Sequence, residues 1–403
     1  SDEIKPEIPE NEEVATTATS LLQASWRMIS SQSTSGAESG AQLLATTVRH
    51  YVLTHGFVVR VADGDTTQHD VIVCAVPTKE SDAALTSCKS LMSLVVSAVE
   101  QTKANIPGRC RSKTIFGSIS AMTHLWPLLR KNFEADLVAW KDFINDWVDF
   151  LCVVGQWVLA LLSPKQTEAA CGSFADVDST LESLALFSAS GDERTHPPLP
   201  DQDDTKEHIL SLAWRTIAAI SDFFGSAFAH LPIGMESEAK ASHSTTLLRT
   251  KTIAAWFHAV LLGVRHRGAI ESCAAGFEKL CARLMTSSES DVSLVPLNVL
   301  TDSLAFVKST TALSVTRLGA GAPHVIKAVL TNCRNSAITR TTIETLLQVA
   351  GTPVYDQEID DLSDLPQVRA FNVLTVIVSD GAIAEELQPF LTTALVTAVS
   401  GFQ

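Results

Sequence analysis

The sequence predicts an all-α fold in which antiparallel helix pairs follow one another along the chain. Three observations support this. Apolar residues recur at spacings of three and four over most of the 403 residues, the connecting segments are short, and strands do not alternate with helices. Short turns force neighbouring helices to pack antiparallel, and series of such pairs build α-solenoids of the HEAT or armadillo type. A hydrophobic fraction of 46% is enough for a folded core.

Helical periodicity begins after an acidic, proline-containing start, residues 1–13, which we expect to be disordered. Leu22, Trp26 and Ile29 then recur at helical spacing, and a second apolar pattern follows the break at Gly36.

Residues 57–76 differ from the rest of the chain. Two runs of β-branched residues, Val58–Val61 and Val71–Val73, flank the turn signal Asp63-Gly64-Asp65. This pattern predicts a small β-hairpin insertion in the helical array, and a loop insertion is the alternative.

From residue 82 onward the pattern is helical throughout. The predicted helices cover residues 82–104, 114–132, 134–163, 178–188, 206–230, 244–264, 268–286, 291–309, 322–333, 337–350, 366–378 and 383–400.

Two acidic segments separate these helices into groups. Residues 189–205 contain three prolines, and residues 351–364 contain five carboxylates, so both are predicted to be linkers. The predicted organisation is a disordered start (1–13), N-terminal helical repeats (14–188), a linker (189–205), helical repeats with basic turns (206–350), an acidic loop (351–364) and a C-terminal helical repeat that the chain end truncates (365–403).

Charge is distributed unevenly. The net charge is −15 for the whole chain, with −12 over residues 1–205, +4 over 206–350 and −7 over 351–403. The overall acidity argues against a chain that coats nucleic acid along its length. The basic middle part is either a surface for RNA or another anionic partner, or ordinary variation of surface charge.

Sequence motifs for catalysis, cofactors and metals are absent. There is no glycine-rich dinucleotide or phosphate loop, no zinc-protease motif and no nucleophile elbow, and the eight cysteines form no CxxC pair. We therefore expect no cofactor, no metal, no small-molecule substrate and no catalysis by this chain. The most apolar stretch, Phe150–Leu162, is too short to span a bilayer, so we expect a core helix and no membrane partner.

Four stretches together resemble a known family. They are Trp214-Arg215, residues 265–271 (RHRGAIE), residues 316–323 (TRLGAGAP) and residues 367–374 (QVRAFNVL). Their order and spacing are similar to the central region of the thyroid-adenoma-associated protein (THADA) family, which includes the fungal regulatory subunits of a tRNA 2′-O-methyltransferase. The resemblance covers residues 206–403. In the third stretch, Leu318 stands where the family has a second arginine.

The resemblance implies a cytoplasmic, non-catalytic scaffold. Such a subunit binds an FtsJ-like methyltransferase subunit and tRNA, and it helps to position the anticodon loop while the partner methylates the ribose. The alternative is an α-solenoid adaptor that binds other proteins and has no RNA role.

The candidate residues for RNA or partner binding lie mostly in turns between helices. Arginine makes planar, bidentate contacts with phosphate or carboxylate, and a salt bridge from Arg267 to Glu271 is the structural alternative. The candidates are Arg215, Arg265, His266, Arg267 and Arg317.

A second group of residues is expected to have structural roles. Trp214 is predicted to be a core residue, and Asn372 to be a buried clamp between repeats because it lies one turn after Val368. The full group is Trp214, Gly268, Glu271, Gly321, Pro323 and Asn372.

Overall fold

Helices account for nearly all of the residues that the structure, a computed structural model, describes. The described residues are 10–61, 72–75, 83–162, 202–230, 240–264, 266–309, 320–333, 335–353 and 365–400. The prediction of an all-α fold is confirmed. The predicted helix 178–188, residues 1–9 of the predicted disordered start and most of the two predicted linkers lie outside the described residues. Residues 10–13 of that start are helical, so the prediction of disorder is wrong for them.

The helices before residue 163 match the predicted ones closely, with one exception. The predicted helix 114–132 is interrupted by a 3₁₀ turn, Trp126–Leu129, because Pro127 cannot donate a backbone hydrogen bond. The helices are α1 (Glu10–Ile29), α2 (Thr34–Thr47), α3 (Ala83–Ala104), α4 (Ile106–Arg109), α5 (Thr114–Leu125), α6 (Arg130–Ala135) and α7 (Leu137–Leu162).

The helices after residue 201 differ from the prediction at two places. The first begins at Gln202, inside the predicted linker 189–205. The predicted helix 383–400 is broken around Pro389. The helices are α8 (Gln202–His230), α9 (Lys240–Gly263), α10 (Arg267–Met285), α11 (Ser290–Ser293), α12 (Val295–Lys308), α13 (Ala322–Asn332), α14 (Ser336–Ala350), α15 (Pro366–Val378), α16 (Ala384–Leu387) and α17 (Leu391–Ser400).

The predicted β-hairpin is present. Strand β1 (Val58–Val61) pairs antiparallel with β2 (Ile72–Ala75), so that Val58 faces Ala75 and Val61 faces Ile72. The hairpin is tied to the helices by its backbone amides: Val59 N donates to Ser87 Oγ on α3 at 2.9 Å.

The described residues form two compact units. Unit 1 contains the described residues up to Gly155 together with 202–223, and unit 2 contains 156–162 and the described residues from Phe224 onward. The division falls within α7 and α8. Aromatic packing accounts for this in unit 1, because Phe223 of α8 contacts the rings of Trp126 and Trp147 at centroid distances of 5.0 and 5.9 Å.

In unit 2, α9 and α10 form the predicted antiparallel hairpin. Phe257 on α9 packs against Phe277 on α10 at a ring distance of 5.6 Å, and both side chains are buried. α13 packs against α10, and α15 packs against α13 and α14, so helices accumulate layer upon layer as in a solenoid.

Two described helices, 83–104 and 138–162, are long and apolar enough to cross a membrane by length and composition alone. The apolar stretch 150–162, predicted to be too short to span a bilayer, lies within the longer of these two apolar helices. About half of each apolar window is buried inside the protein (44% and 50%), as in core helices of globular domains.

Candidate functional site

The turn between α9 and α10 carries the basic motif. Val264 is buried and anchors the end of α9. His266 is exposed and is the N-cap residue of α10, with its Nδ1 accepting a hydrogen bond from the backbone N–H of Ala269 at 3.3 Å. This contact satisfies one of the unpaired amides of the helix start. Gly268 is half-buried in the first helical turn.

Arg267 projects from this turn into solvent. Its side chain is 91% exposed, and its Nε donates to Glu271 Oε1 at 2.7 Å. The hydrogen bond to Glu271 raises the pKa of Arg267 above its ordinary value. The predicted Arg267–Glu271 pair is therefore present, and a phosphate that binds Arg267 must compete with this carboxylate or use the remaining guanidinium N–H groups.

The start of α13 lies against the end of α9. A Cβ on Gly321 would collide with the carbonyl oxygen of Leu261 and would lie 2.7 Å from its carbonyl carbon. Glycine is therefore required for this close backbone approach. Pro323, the second residue of α13, is buried and fits the first turn because its missing N–H would have no helical partner there.

α13 adds charged groups to the same region. Burial lowers the pKa of His324, Lys327 lowers it further, and Glu271 on α10 opposes both. Lys327 Nζ lies 3.0 Å from Asp380 Oδ2, just after α15. The pKa of Asp380 is lowered by the backbone N–H of Ala382 and by Lys327.

This region of unit 2 contains the ion pairs Arg267–Glu271 and Lys327–Asp380, together with His324, on which the charge of Glu271 acts. We call it the charge ladder and define it as Arg267, Glu271, His324, Lys327 and Asp380. Within it, Arg267 is the most exposed cation, and Lys327 is held by Asp380. Chemically, the ladder offers one solvent-facing guanidinium for a phosphate or a carboxylate.

Unit 1 contains the other described arginine among the candidates. Arg215 lies over the ring of Trp214 at 4.4 Å and donates from Nε to Ser211 Oγ at 3.3 Å. Trp214 is half-buried, so the prediction of a core tryptophan was wrong; on this face of α8 its ring stacks with Arg215.

The sequence of the chain matches a family model described as "THADA/TRM732, DUF2428" over residues 142–403. This match covers more than half of the chain. The chain belongs to the THADA/TRM732 family.

Several curated relatives are similar to this member of the THADA/TRM732 family. The chicken protein named "tRNA (32-2'-O)-methyltransferase regulator THADA" is 29% identical over 207 residues, the human protein of the same name is 28% identical over 207, and the fission yeast regulator trm732 is 25% identical over 203. Each match covers 50% of this chain, and it covers 10% of the chicken and human proteins and 13% of the yeast one.

The chain thus spans about a tenth of the length of these relatives. A crystal structure of an engineered protein aligns with 92% of the chain at 13% identity, but its TM-score of 0.16 is too low to support an argument about the fold.

Within the THADA/TRM732 region, the structure corrects the expectation for Asn372. This side chain is exposed, whereas Arg369, Val373 and Ile377 form the buried stripe of α15. Asn372 lies about 100° around the helix from Val373, which places it outside the stripe. The predicted clamp is therefore wrong for this residue.

Arg369 makes the clamp that was assigned to Asn372. It is 8% exposed, and its Nη1 donates to the carbonyl oxygens of Phe306 and Ser309 at 3.0 and 3.1 Å and to Ser309 Oγ at 3.0 Å. These are the last carbonyls of α12, where a positive charge is favoured. The sequence does contain a signal for this role: Arg369 lies one helical turn before Val373 and therefore on the apolar stripe of α15.

The remaining candidates, Arg265 and Arg317, lie outside the described residues. Among the described residues, no group of three His, Cys, Asp or Glu side chains is arranged to hold a metal ion.

Proposed function

We propose that this chain is part of a non-catalytic subunit that regulates a tRNA 2′-O-methyltransferase. The observation that carries this proposal is the family match over residues 142–403, together with relatives whose names describe tRNA (32-2'-O)-methyltransferase regulators. In this proposal, an FtsJ-like partner supplies the catalytic residues, and this chain helps to position the tRNA anticodon loop.

The mechanism we propose is positioning by a rigid helical surface. Arg267 is held by an N-capped helix start and points into solvent, so its guanidinium is available to a phosphate without reorganisation of the backbone. Contacts to phosphate orient an RNA without reading its sequence. Glu271 limits the strength of this contact, because it already accepts a hydrogen bond from Arg267.

The test uses the full-length parent protein, co-expressed with its methyltransferase partner. The variants are Arg267→Ala and Glu271→Gln, with Arg340→Ala on α14 as a matched control that removes an exposed arginine elsewhere in unit 2. Anticodon-loop 2′-O-methylation is measured on purified tRNA as a function of tRNA concentration, and complex formation is checked by co-purification.

We expect Arg267→Ala to raise the KM for tRNA roughly three- to ten-fold with an intact complex, the loss of one charged contact. Glu271→Gln should leave KM unchanged or lower it, because it releases the guanidinium, and Arg340→Ala should match the wild type. Equal KM values for all four proteins would contradict the RNA role of Arg267, and failure to bind the methyltransferase would contradict the proposed function.

The second candidate function is a protein–protein adaptor without an RNA role, and the C-terminal helix α17 favours it. Leu395, Val396 and Val399 are between 57% and 66% exposed on this helix, and exposed apolar patches are typical of protein interaction sites. If the protein co-purifies with the methyltransferase and also binds tRNA, the first function is supported. If it forms stable complexes with other proteins but binds neither the methyltransferase nor tRNA, the second function is supported.

A further inference from the structure

Two cations in unit 1 converge on one hydroxyl group. Lys113 Nζ donates to Ser211 Oγ at 3.2 Å, and Arg215 Nε donates to the same oxygen at 3.3 Å. Lys113 directly precedes α5, whereas Ser211 and Arg215 lie one turn apart on α8. The tertiary fold of unit 1 therefore brings Lys113 to Ser211 across 98 residues of sequence, next to Arg215. We call these three residues the two-cation site.

This arrangement is unusual because Lys113 is only 5% exposed. A buried ammonium group is normally paired with a carboxylate, since transfer of an unpaired charge out of water is costly. Among the described residues, no carboxylate forms an ion pair with Lys113 or Arg215. The only direct side-chain partner of Lys113 there is a neutral hydroxyl.

Among the described residues, the electrostatic surroundings give Lys113 no carboxylate and give Arg215 only Glu38. Burial lowers the pKa of Lys113, and the positive charge of Arg215 lowers it further. Glu38 acts on Arg215 from a distance and is exposed to solvent. The nearby thiol of Cys110 does not compensate either, because burial raises its pKa and keeps it neutral.

The hydroxyl of Ser211 completes a set of donors. A serine oxygen has two lone pairs, and here they accept from Lys113 and Arg215, so the hydroxyl proton remains to donate. Arg215 is half-exposed, and its guanidinium carries N–H groups beyond the one that binds Ser211. A ligand that accepts a hydrogen bond from Arg215 would therefore have the Ser211 hydroxyl and the Lys113 ammonium as its neighbours.

We propose that Lys113, Ser211 and Arg215 bind a phosphate dianion, either inorganic phosphate or the terminal phosphate of a phosphomonoester. Two positive charges match the charge of a dianion, whereas a backbone phosphodiester carries a single negative charge and would leave one cation unpaired. Lys113 lies outside residues 142–403, which match the family model. It is also not part of the tRNA contact proposed above, which is made by Arg267.

The test is a titration of the 403-residue chain with inorganic phosphate at constant ionic strength. Binding is measured by calorimetry and by line broadening of the phosphate ³¹P resonance. Arg215→Gln removes the half-exposed cation, and Ser211→Ala keeps both cations but removes the shared oxygen. Arg49→Gln is the matched control, because it removes an exposed arginine from the same unit. Circular dichroism verifies that each variant is folded.

We expect the wild type to bind phosphate and sulfate but not chloride. Arg215→Gln should weaken phosphate binding by about ten-fold or more, Ser211→Ala by several-fold, and Arg49→Gln by less than two-fold. The proposal is overturned if phosphate binds no better than chloride, or if Arg215→Gln and Arg49→Gln bind phosphate equally well.

A competition experiment identifies the source of the phosphate. A short oligoribonucleotide with a 5′-phosphate is compared with the same oligoribonucleotide with a 5′-hydroxyl, which contains only diesters. We expect only the phosphorylated form to displace inorganic phosphate. Tighter binding of that form than of inorganic phosphate points to an RNA end, and equal affinity points to the free ion. Displacement by the 5′-hydroxyl form would show that the site does not select dianions.

Discussion

At the scale of single residues, the packing of unit 2 requires a glycine at position 321. The sequence alone shows this glycine only as part of a turn. Gly321 allows the chain to pass directly over the carbonyl group of Leu261, so that α13 begins next to the end of α9. The basic turn that starts at Val264 follows within one helical turn of this contact. The position of the RHRG motif relative to α13 is therefore set by the absence of a side chain.

Gly321→Ala should destabilise unit 2 by about 1–3 kcal/mol, because the new methyl group overlaps backbone atoms that cannot rotate away. The measurement is denaturant unfolding of the purified chain. Gly263→Ala is the matched control, since a Cβ at Gly263 has no neighbour within 4 Å. Equal midpoints for the two variants would show that the contact with Leu261 is not tight in solution.

At the scale of elements, one buried arginine joins α15 to the end of α12. Arg369 donates to three acceptors at the last turn of α12, and its guanidinium lies over the ring of Phe306 at 4.9 Å. The carbonyl of Phe306 also accepts from Ser309 N and Ser309 Oγ, at 3.1 and 2.8 Å, so Arg369 adds a charged donor from a neighbouring repeat to the end of α12. The two helices are thereby fixed in register.

Arg369→Met should cost about 2–3 kcal/mol of unfolding free energy, because it preserves the apolar volume but leaves the carbonyls of Phe306 and Ser309 without this donor. The unfolding free energy of Arg369→Lys should lie between those of Arg369→Met and the wild type, since one ammonium group cannot reproduce the planar guanidinium. Arg340→Met, at an exposed position of α14, serves as the control. A Met variant as stable as this control would refute the capping role.

At the scale of the whole molecule, two partly buried histidines of unit 2 make the stability depend on pH. His258 Nε2 lies 3.0 Å from Ser303 Oγ. Burial lowers the pKa of His258, and the negative charge of Asp302 partly offsets this by raising it. Burial likewise lowers the pKa of His324. Both histidines therefore remain neutral in the folded protein at pH values where an unfolded histidine is protonated.

The stability of unit 2 should fall as the pH decreases from about 7 to 5, because the unfolded chain then binds protons that the folded chain does not. Asp380 contributes a constant amount over this range, since its pKa is lowered from 3.8 and it stays ionised. Thermal unfolding midpoints at several pH values test this. The double variant His258→Gln/His324→Gln should show a flatter profile, and His124→Gln, at an exposed position, should follow the wild type. A double variant with the wild-type slope would contradict the assignment.

Local sequence alone determined the helices, the β-hairpin and the family. Periodicity of three and four residues reports which face of each helix is buried, and this face is a local property of the chain. The pairing of Arg267 with Glu271 was also predictable, since residues four apart on a helix are neighbours.

Only the tertiary structure decided which residues from distant segments meet. The division into two units follows aromatic contacts of Phe223 with Trp126 and Trp147, and no local pattern indicates such partners. The clamp at Arg369 was assigned to Asn372 because a shift of about one residue in the phase of a helix moves a side chain by 100° around its axis. Lys113 and Arg215 converge on Ser211 because the fold brings the residue before α5 to α8, and contacts of this range depend on the whole fold.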